Sequence, residues 1–319
     1  MKKRLLLEIG TVALAGAYVI NDEEFKLAFD RYFHFPDFIY NHDIWDDMNK
    51  ATTKGLEFID GVENEYIWLR NSMNNIVSAT FIPSKVKSKK YMILSHGYRS
   101  DGLHEFGAFL PFYYEQNVNL LIVDHQAHGR SEGRYITFGY QEHKDLLQWA
   151  HYLVENYGED IEIYMHGISM GAATVCQCSG CEELPKQVKG IISDCAYSSA
   201  SEQLIHVISS WHVPFAKMTY KLVASKLEKV YGAKLEEVNA LDAVKNCKVP
   251  IFFIHGTKDQ FVPTDMGIQI FEACRAPEKD LILIEKAGHA QSYYYGKDKY
   301  QQAILDVINK FSDSEKKLR

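Results

Sequence analysis

Ile163-Tyr164-Met165-His166-Gly167-Ile168-Ser169-Met170-Gly171-Ala172 decides how this chain is read, because an apolar run passes through Gly167-x-Ser169-x-Gly171 into a helix-like Ala-Ala-Thr-Val stretch. A strand-to-helix turn this sharp tolerates no bulk on either side of the serine. A side chain at Gly167 or Gly171 would collide with the neighbouring strand or helix, and the turn lifts the serine hydroxyl out at the carboxyl edge of a sheet. The five-residue pattern alone is common by chance. Its strand-turn-helix setting gives it meaning.

Two further segments follow in chain order. Pro250 to Pro263 begins as an apolar strand and carries Asp259, and Leu281 to His289 is a second strand leading to a histidine. Asp259 lies 90 residues after Ser169, and His289 lies 30 residues after Asp259. The longer gap holds another strand-helix unit plus an insertion, and the shorter one a helix and a strand. All three groups can therefore meet at one edge of a parallel sheet. In that arrangement His289 would take the Ser169 proton, while Asp259 would fix the imidazole tautomer and stabilise its positive charge. Asp194 also ends a strand and is a second candidate for the acid.

Acyl transfer also needs backbone N–H donors for the oxyanion. One comes from the residue after the serine, here Met170, and the other from the loop after an early strand. In Tyr91-Met-Ile-Leu-Ser-His96-Gly97-Tyr98 that residue is Tyr98. A plain strand-ending turn at His96-Gly97 is the alternative.

A fourth segment, Leu120 to Gly133, contains Asp124-His-Gln-Ala-His128-Gly-Arg-Ser131-Glu-Gly133. Together with His166-Gly-Ile-Ser-Met-Gly171 it resembles the D-x-x-x-H-G-x-S-x-G turn and H-G-x-S-M-G elbow of the α/β-hydrolase superfamily, in its monoglyceride-lipase and serine-aminopeptidase-like branch. The similarity extends to bacterial, often membrane-anchored or cell-surface hydrolases. It covers roughly residues 60 to 312, with support from Ile192 to Tyr197, Phe253 to Gly256 and Ala287 to His289. The resemblance implies Ser169, Asp259 and His289 as triad and Tyr98 and Met170 as oxyanion donors. It does not imply a substrate.

His125-x-x-His128 invites a metal reading, which fails because both histidines sit in a glycine-rich turn rather than one helical turn apart with a third ligand. Asp124 and Ser131 are expected to bond the turn's own backbone. No metal and no cofactor is expected. With 319 residues, 46% of them hydrophobic, the chain can bury a large core. A net charge of −7 offers no basic stripe, so nucleic acid is excluded as a partner. The six cysteines (176, 178, 181, 195, 247 and 274) form neither paired CxxC motifs nor a disulfide framework. They read as reduced thiols, with Cys176 to Cys181 packed on the helix leaving the elbow.

Lys2-Lys3-Arg4 precedes an apolar run from Leu5 to Ile20 interrupted only by Glu8. It is short for a span and reads as a signal peptide, a membrane anchor or a packed helix. The expectation is membrane association through residues 5–20 with the catalytic core outside; a cytoplasmic protein is the alternative, to which Glu8 and the thiols point. Asn21 and Glu24 suggest a capping box, opening a helix with Phe25, Phe29, Tyr32 and Phe33 on one face. Strands are expected at 65–70 and 76–82, and a helix over 140–157 stopped by Gly158.

The expected architecture is an α/β fold, a mostly parallel sheet flanked by helices with a small helical cap. Residues 1–20 form the signal or anchor segment, 21–60 a helical extension, 61–197 and 249–319 the core, and 198–248 the cap. In the cap, Leu204, Val207, Ile208 and Trp211 keep helical spacing, as do Met218, Leu222, Val223, Leu227 and Val230 after Pro214. Trp211 is the candidate substrate contact. The expected activity is hydrolysis of carboxylic esters, with a small-molecule acyl ester as substrate, through an acyl-enzyme on Ser169. An aminopeptidase or amidase is the runner-up, with Glu202, Glu228, Glu236 and Glu237 as candidate amine anchors. A non-catalytic membrane-tethered scaffold is the third reading.

Overall fold

The strands expected at residues 65–70 and 76–82 form as β1 (Glu65–Arg70) and β2 (Ile76–Ile82), which pair as an antiparallel hairpin turning through Asn74 in the left-handed region. In the computed structural model, which describes residues 22–33, 44–213 and 215–311, six more strands follow. They are β3 (Lys90–Ser95), β4 (Asn119–Asp124), β5 (Glu162–Ile168), β6 (Val188–Asp194), β7 (Ile251–Gly256) and β8 (Lys279–Ile284). The sheet order is β1-β2-β4-β3-β5-β6-β7-β8. Only β2 runs against its neighbours; every pair from β4 through β8 is parallel.

The central strands read as near-continuous apolar runs because both sheet faces are covered. Ile93, Leu121, Val123, Ile163 and Met165 point to one face, and Met92, Leu94, Leu120, Ile122 and Tyr164 to the other. The helices are α1 (22–29), α2 (Trp45–Asp60), α3 (Gly102–Phe106), α4 (Leu110–Glu115), α5 (Glu142–Tyr157), α6 (Met170–Ser179), α7 (Ala200–Ser210), α8 (Ala216–Tyr231), α9 (Ala240–Ala243), α10 (Thr264–Ala273), α11 (Ser292–Tyr295) and α12 (Lys297–Lys310). The first face buries residues of α1, α5, α6, α8 and α10; the second buries those of α2, α4 and α12.

Some expectations need correction. The α5 stop at Gly158 forms, with φ of 95°, but the helix begins at Glu142, two residues later than read. Helix α1 ends at residue 29, so Phe25 and Phe29 are buried while Tyr32 turns out to solvent. Burying two phenylalanines contributes roughly 3–6 kcal/mol, enough to hold a helix too short to persist alone. Helix α8 buries Thr219, Tyr220, Val223, Ala224 and Leu227 and leaves Met218, Leu222 and Val230 exposed. Its inner face is rotated from the expected stripe, because hydroxyl-bearing Thr219 and Tyr220 go inside. Tyr220 donates to Glu236. All six cysteines are free, and five are buried.

The apolar segment 5–20, Asn21 of the capping box, Pro214 and the tail after 311 lie outside the described residues. Among the described residues no helix is long and apolar enough to cross a membrane.

Candidate active site

Ser169 sits between β5 and α6 with φ of 57° and ψ of −115°, a conformation that costs a non-glycine residue on the order of 1–3 kcal/mol. The surrounding glycines make it attainable. A Cβ at Gly167 would stand 2.2 Å from the Gly171 carbonyl oxygen, and one at Gly171 1.8 Å from that of Ser95. The Ser169 amide donates to the Asp194 carbonyl at 2.8 Å, tying the elbow to the end of β6.

His289 Nε2 lies 2.8 Å from Ser169 Oγ, and its Nδ1 lies 2.8 Å from Asp259 Oδ2. Asp259 and His289 stand in the loops beyond β7 and β8 rather than at the last strand residues. Asp259 Oδ1 accepts the amides of Phe261 and Val262 at 3.0 and 2.9 Å. Burial acts to raise the Asp259 carboxyl, but His289 and His255 beside it outweigh burial and hold it well below the usual range. His289 feels the reverse: burial lowers it, and Asp259 more than compensates, leaving it above its ordinary value. The Phe261 ring leans on the imidazole at 4.9 Å between centroids.

Asp194, the other candidate acid, does not reach His289. Its carboxylate accepts from Ser292 Oγ and Tyr300 OH, each at 3.0 Å. Behind it runs a buried relay, in which Tyr113 OH lies 2.7 Å from His166 Nδ1, and His166 Nε2 2.7 Å from Tyr300 OH. With Tyr300 donating to Asp194, His166 donates to Tyr300 and accepts from Tyr113. Desolvation pushes Asp194 up to about 6 and His166 down to about 3.

The loop after β3 runs against the elbow, so that a Cβ at Gly97 would lie 3.3 Å from Ser169 Cβ. Three buried histidines stiffen it. His96 Nε2 accepts from the His125 amide at 3.0 Å, His128 Nε2 accepts from the Arg99 amide at 3.0 Å, and His125 Nε2 pairs with Ser95 Oγ at 2.8 Å. Burial first, then the neighbouring His96, holds His125 and His128 well below their ordinary value. Asp124 takes the Arg130 amide and also the Gly102 amide opening α3, while Ser131 Oγ donates to the Asp124 carbonyl. The turn thus braces the loop as well as itself.

The fold is matched by solved structures. An esterase of Pyrococcus furiosus superposes with a TM-score of 0.63 at 22% identity, covering 79% of this chain and 92% of that one. Acetyl xylan esterase 1 of Thermoanaerobacterium gives 0.55 at 15%, covering 82% and 94%. The chain has the α/β-hydrolase fold. The sequence profile described as serine aminopeptidase, S33, matches residues 86–238. The Bacillus subtilis protein YqkD is 27% identical over 230 residues, 70% of this chain and 72% of its own length. Human alpha/beta hydrolase domain-containing protein 17B is 24% identical over 242 residues, 73% and 71% of the two chains.

Ser169 opens into a cavity of about 600 Å³. Tyr98 and Met170 line it, as do Leu204, Val207, Ile208 and Trp211 from α7 and its end, and Val223 from α8. Trp211 is 41% exposed, placing it at the rim rather than deep inside. None of Glu202, Glu228, Glu236 and Glu237 lines the cavity; the carboxylates that do are Glu24 and Glu105. The contribution of α1, with Glu24, Leu27 and Ala28 in the wall, was not foreseen. Residues 21–60 read only as an extension, and no spacing ties them to a site more than 60 residues on.

Among the described residues one cluster, Cys195, Asp259 and His289, brings three ligand-type atoms within 4.8 Å. The donor set does not fit a metal. Asp259 and His289 bond each other, and burial keeps the Cys195 thiol protonated.

Proposed function

We propose that this α/β-hydrolase is a serine hydrolase that cleaves carboxylic esters through an acyl-enzyme on Ser169. The observation that carries the reading is the unbroken run Ser169 Oγ, His289, Asp259, with both contacts at 2.8 Å, opening into the cavity of about 600 Å³. Ser169 Oγ attacks the ester carbonyl while its proton passes to His289 Nε2. The amides of Tyr98 and Met170 hold the oxyanion. Collapse breaks the ester bond, and the leaving alkoxide takes the proton from His289. Water then attacks the acyl-enzyme with His289 as base, releasing the acid and restoring Ser169. No cofactor enters these steps.

Helices α7 and α8 act as the cap, supplying an apolar wall for the acyl group and excluding water. Ester cleavage is favoured over aminopeptidase or amidase action because none of the cap carboxylates faces the cavity. A fluorophosphonate probe should label the wild type and not Ser169→Ala, and a series of p-nitrophenyl esters set against aminoacyl anilides reads the preference. Anilides cleaved faster than every ester, with loss on Glu24→Gln or Glu105→Gln, would replace the ester reading by the amine-anchored one. An unlabelled wild type would leave the scaffold reading. Trp211→Ala should alter chain-length preference more than turnover of acetyl esters; an unchanged profile with a lower Tm would reduce Trp211 to packing. Membrane association through residues 5–20 belongs to the same proposal, and removal of residues 1–20 should abolish membrane fractionation while sparing ester hydrolysis.

A further inference from the structure

Residues 22–33 precede the stretch that the family profile matches, yet they are bonded into the loop beside Ser169. The segment is first fixed to the turn after β4. Arg134 makes a two-pronged contact with Asp30 Oδ2 at 2.9 and 2.8 Å, Arg31 donates to the carbonyls of Ser131 and Gly129 at 2.5 and 3.1 Å, and the Ile136 amide donates to Phe29 at 2.8 Å. On this base Arg99 makes its contacts. Its guanidinium donates through Nη1 to the Phe33 carbonyl at 2.6 Å and through Nη2 to those of Leu27 and Asp30, each at 2.9 Å. Its Nε donates to Tyr98 OH at 2.8 Å, and that hydroxyl in turn shares its proton between the Leu27 and Ala28 carbonyls at 3.0 and 2.9 Å.

The carbonyls gathered by Arg99 include those at the C-terminal end of α1, which have no partner within their helix and carry its negative dipole end. A planar cation with several diverging donors suits them, and a lysine ammonium cannot span the same set. The main chain of Arg99 is in the left-handed region, with φ of 58°. Such a residue relaxes unless its surroundings over-determine it. Here the His128 ring takes its amide from one side and α1 takes its side chain from the other.

We infer that Arg99 is a positioning residue: it fastens the loop carrying the Tyr98 amide to the end of α1, so that the oxyanion donor is held in place before substrate arrives. This rests on the serine-hydrolase reading above. A donor preset where charge develops needs no reorganisation during the reaction, and Arg99 and Tyr98 are adjacent residues clamped to the same three-dimensional reference. The α1 segment is thereby part of the catalytic apparatus rather than a leader to it.

The test uses the full chain with Arg99→Ala, Arg99→Lys and Tyr98→Phe. Active sites are titrated with a fluorophosphonate, and kcat per titrated site is measured on p-nitrophenyl acetate alongside inhibition by an alkyl boronic acid, which forms a tetrahedral anion on the serine. Arg99→Ala is expected to lower kcat per site about tenfold to a hundredfold, somewhat less than outright loss of an oxyanion donor. KM should stay within about threefold, and boronate affinity should weaken by a factor similar to that in kcat. Arg99→Lys should fall between, and Tyr98→Phe should move the same way by less. If Arg99→Ala does not fold, the other two variants carry the measurement. Fewer titratable sites or a lower Tm, with kcat per remaining site within about twofold of wild type, would make the clamp a fastening of the fold only and overturn the inference. A wild type that the probe does not label at all would overturn the serine reading and this inference together, a result distinct from the preceding one.

Discussion

Asp259 and Asp194 are both buried carboxylates at the carboxyl edge of the same sheet, one in the loop after β7 and the other the last residue of β6. Their proton affinities are shifted in opposite directions. Asp259 faces two imidazoles and two main-chain amides, and the net effect is to keep it ionised. Asp194 faces two hydroxyls, which are weaker compensation for lost water, and rises to about 6. Position on the sheet therefore does not make a triad acid. What separates the pair is whether a histidine ring is in contact, because only then does the folded protein stabilise the anion and give it a cation to stabilise in turn.

The largest effect expected from this contrast is in turnover. Asp259→Asn should lower kcat by on the order of 10⁴, by analogy with the serine-protease acid, with the protein still folded by circular dichroism. Asp194→Asn should stay within about tenfold of wild type, since its loss disturbs only the packing beneath the elbow. Steady-state kinetics on one acetyl ester reads both. The reverse ranking would mean that Asp194 is the working acid and that the contacts of Asp259 are incidental.

A second expectation sharpens the comparison through pH. In the proposed ester hydrolysis His289 must be neutral, so kcat/KM is expected to fall as pH drops through the His289 pKa, which Asp259 holds above its ordinary value. Removing the negative charge in Asp259→Asn lowers that pKa, and the acid limb of the residual activity should move to lower pH. Asp194→Asn should move it far less, since Asp194 acts on His289 without contact. Limbs that coincide in wild type and Asp259→Asn would show that the carboxylate does not tune the base.

The sequence made one half of this contrast readable and hid the other. Ser169, Asp259 and His289, which the structure brings into contact, could be singled out because chain order, strand ends and a glycine-flanked serine each constrain them separately. Asp259 could be favoured over Asp194 only by its strand-end position and its distance before His289, since the partners of Asp194, Ser292 and Tyr300, lie 98 and 106 residues on and belong to no pattern. Hydroxyl groups are too common to be motifs. The clamp at Arg99 was less visible still. Its guanidinium bonds main-chain carbonyls and one tyrosine hydroxyl, and every residue has a carbonyl, so nothing in residues 27 to 33 marks them as its partners. Helix α8 shows a third limit: helical spacing identified the element, but two inward hydroxyl-bearing residues rotated its buried face away from the largest apolar side chains.

The smallest expected effect concerns stability. A carboxyl raised from 3.8 in the unfolded chain to about 6 when folded binds its proton more tightly in the native state, so its contribution is fully present below about pH 4 and is lost as pH rises through about 6. For a shift of that size the two limits differ by roughly 3 kcal/mol. Asp145, raised to about 7 by burial, adds a slope of the same sign nearby. Wild type alone therefore cannot isolate Asp194, but the difference between wild type and Asp194→Asn can. Urea unfolding of both at pH 5 and pH 7.5 should show the variant less stable at pH 5, where a protonated carboxyl still accepts from both hydroxyls and the amide fails one of them. At pH 7.5 the variant should recover ground, because wild type then carries an ionised carboxylate with no cation in contact. A difference that stays constant between the two pH values would mean that Asp194 does not change its charge over this range, and that the two carboxylates are less unlike than their partners suggest.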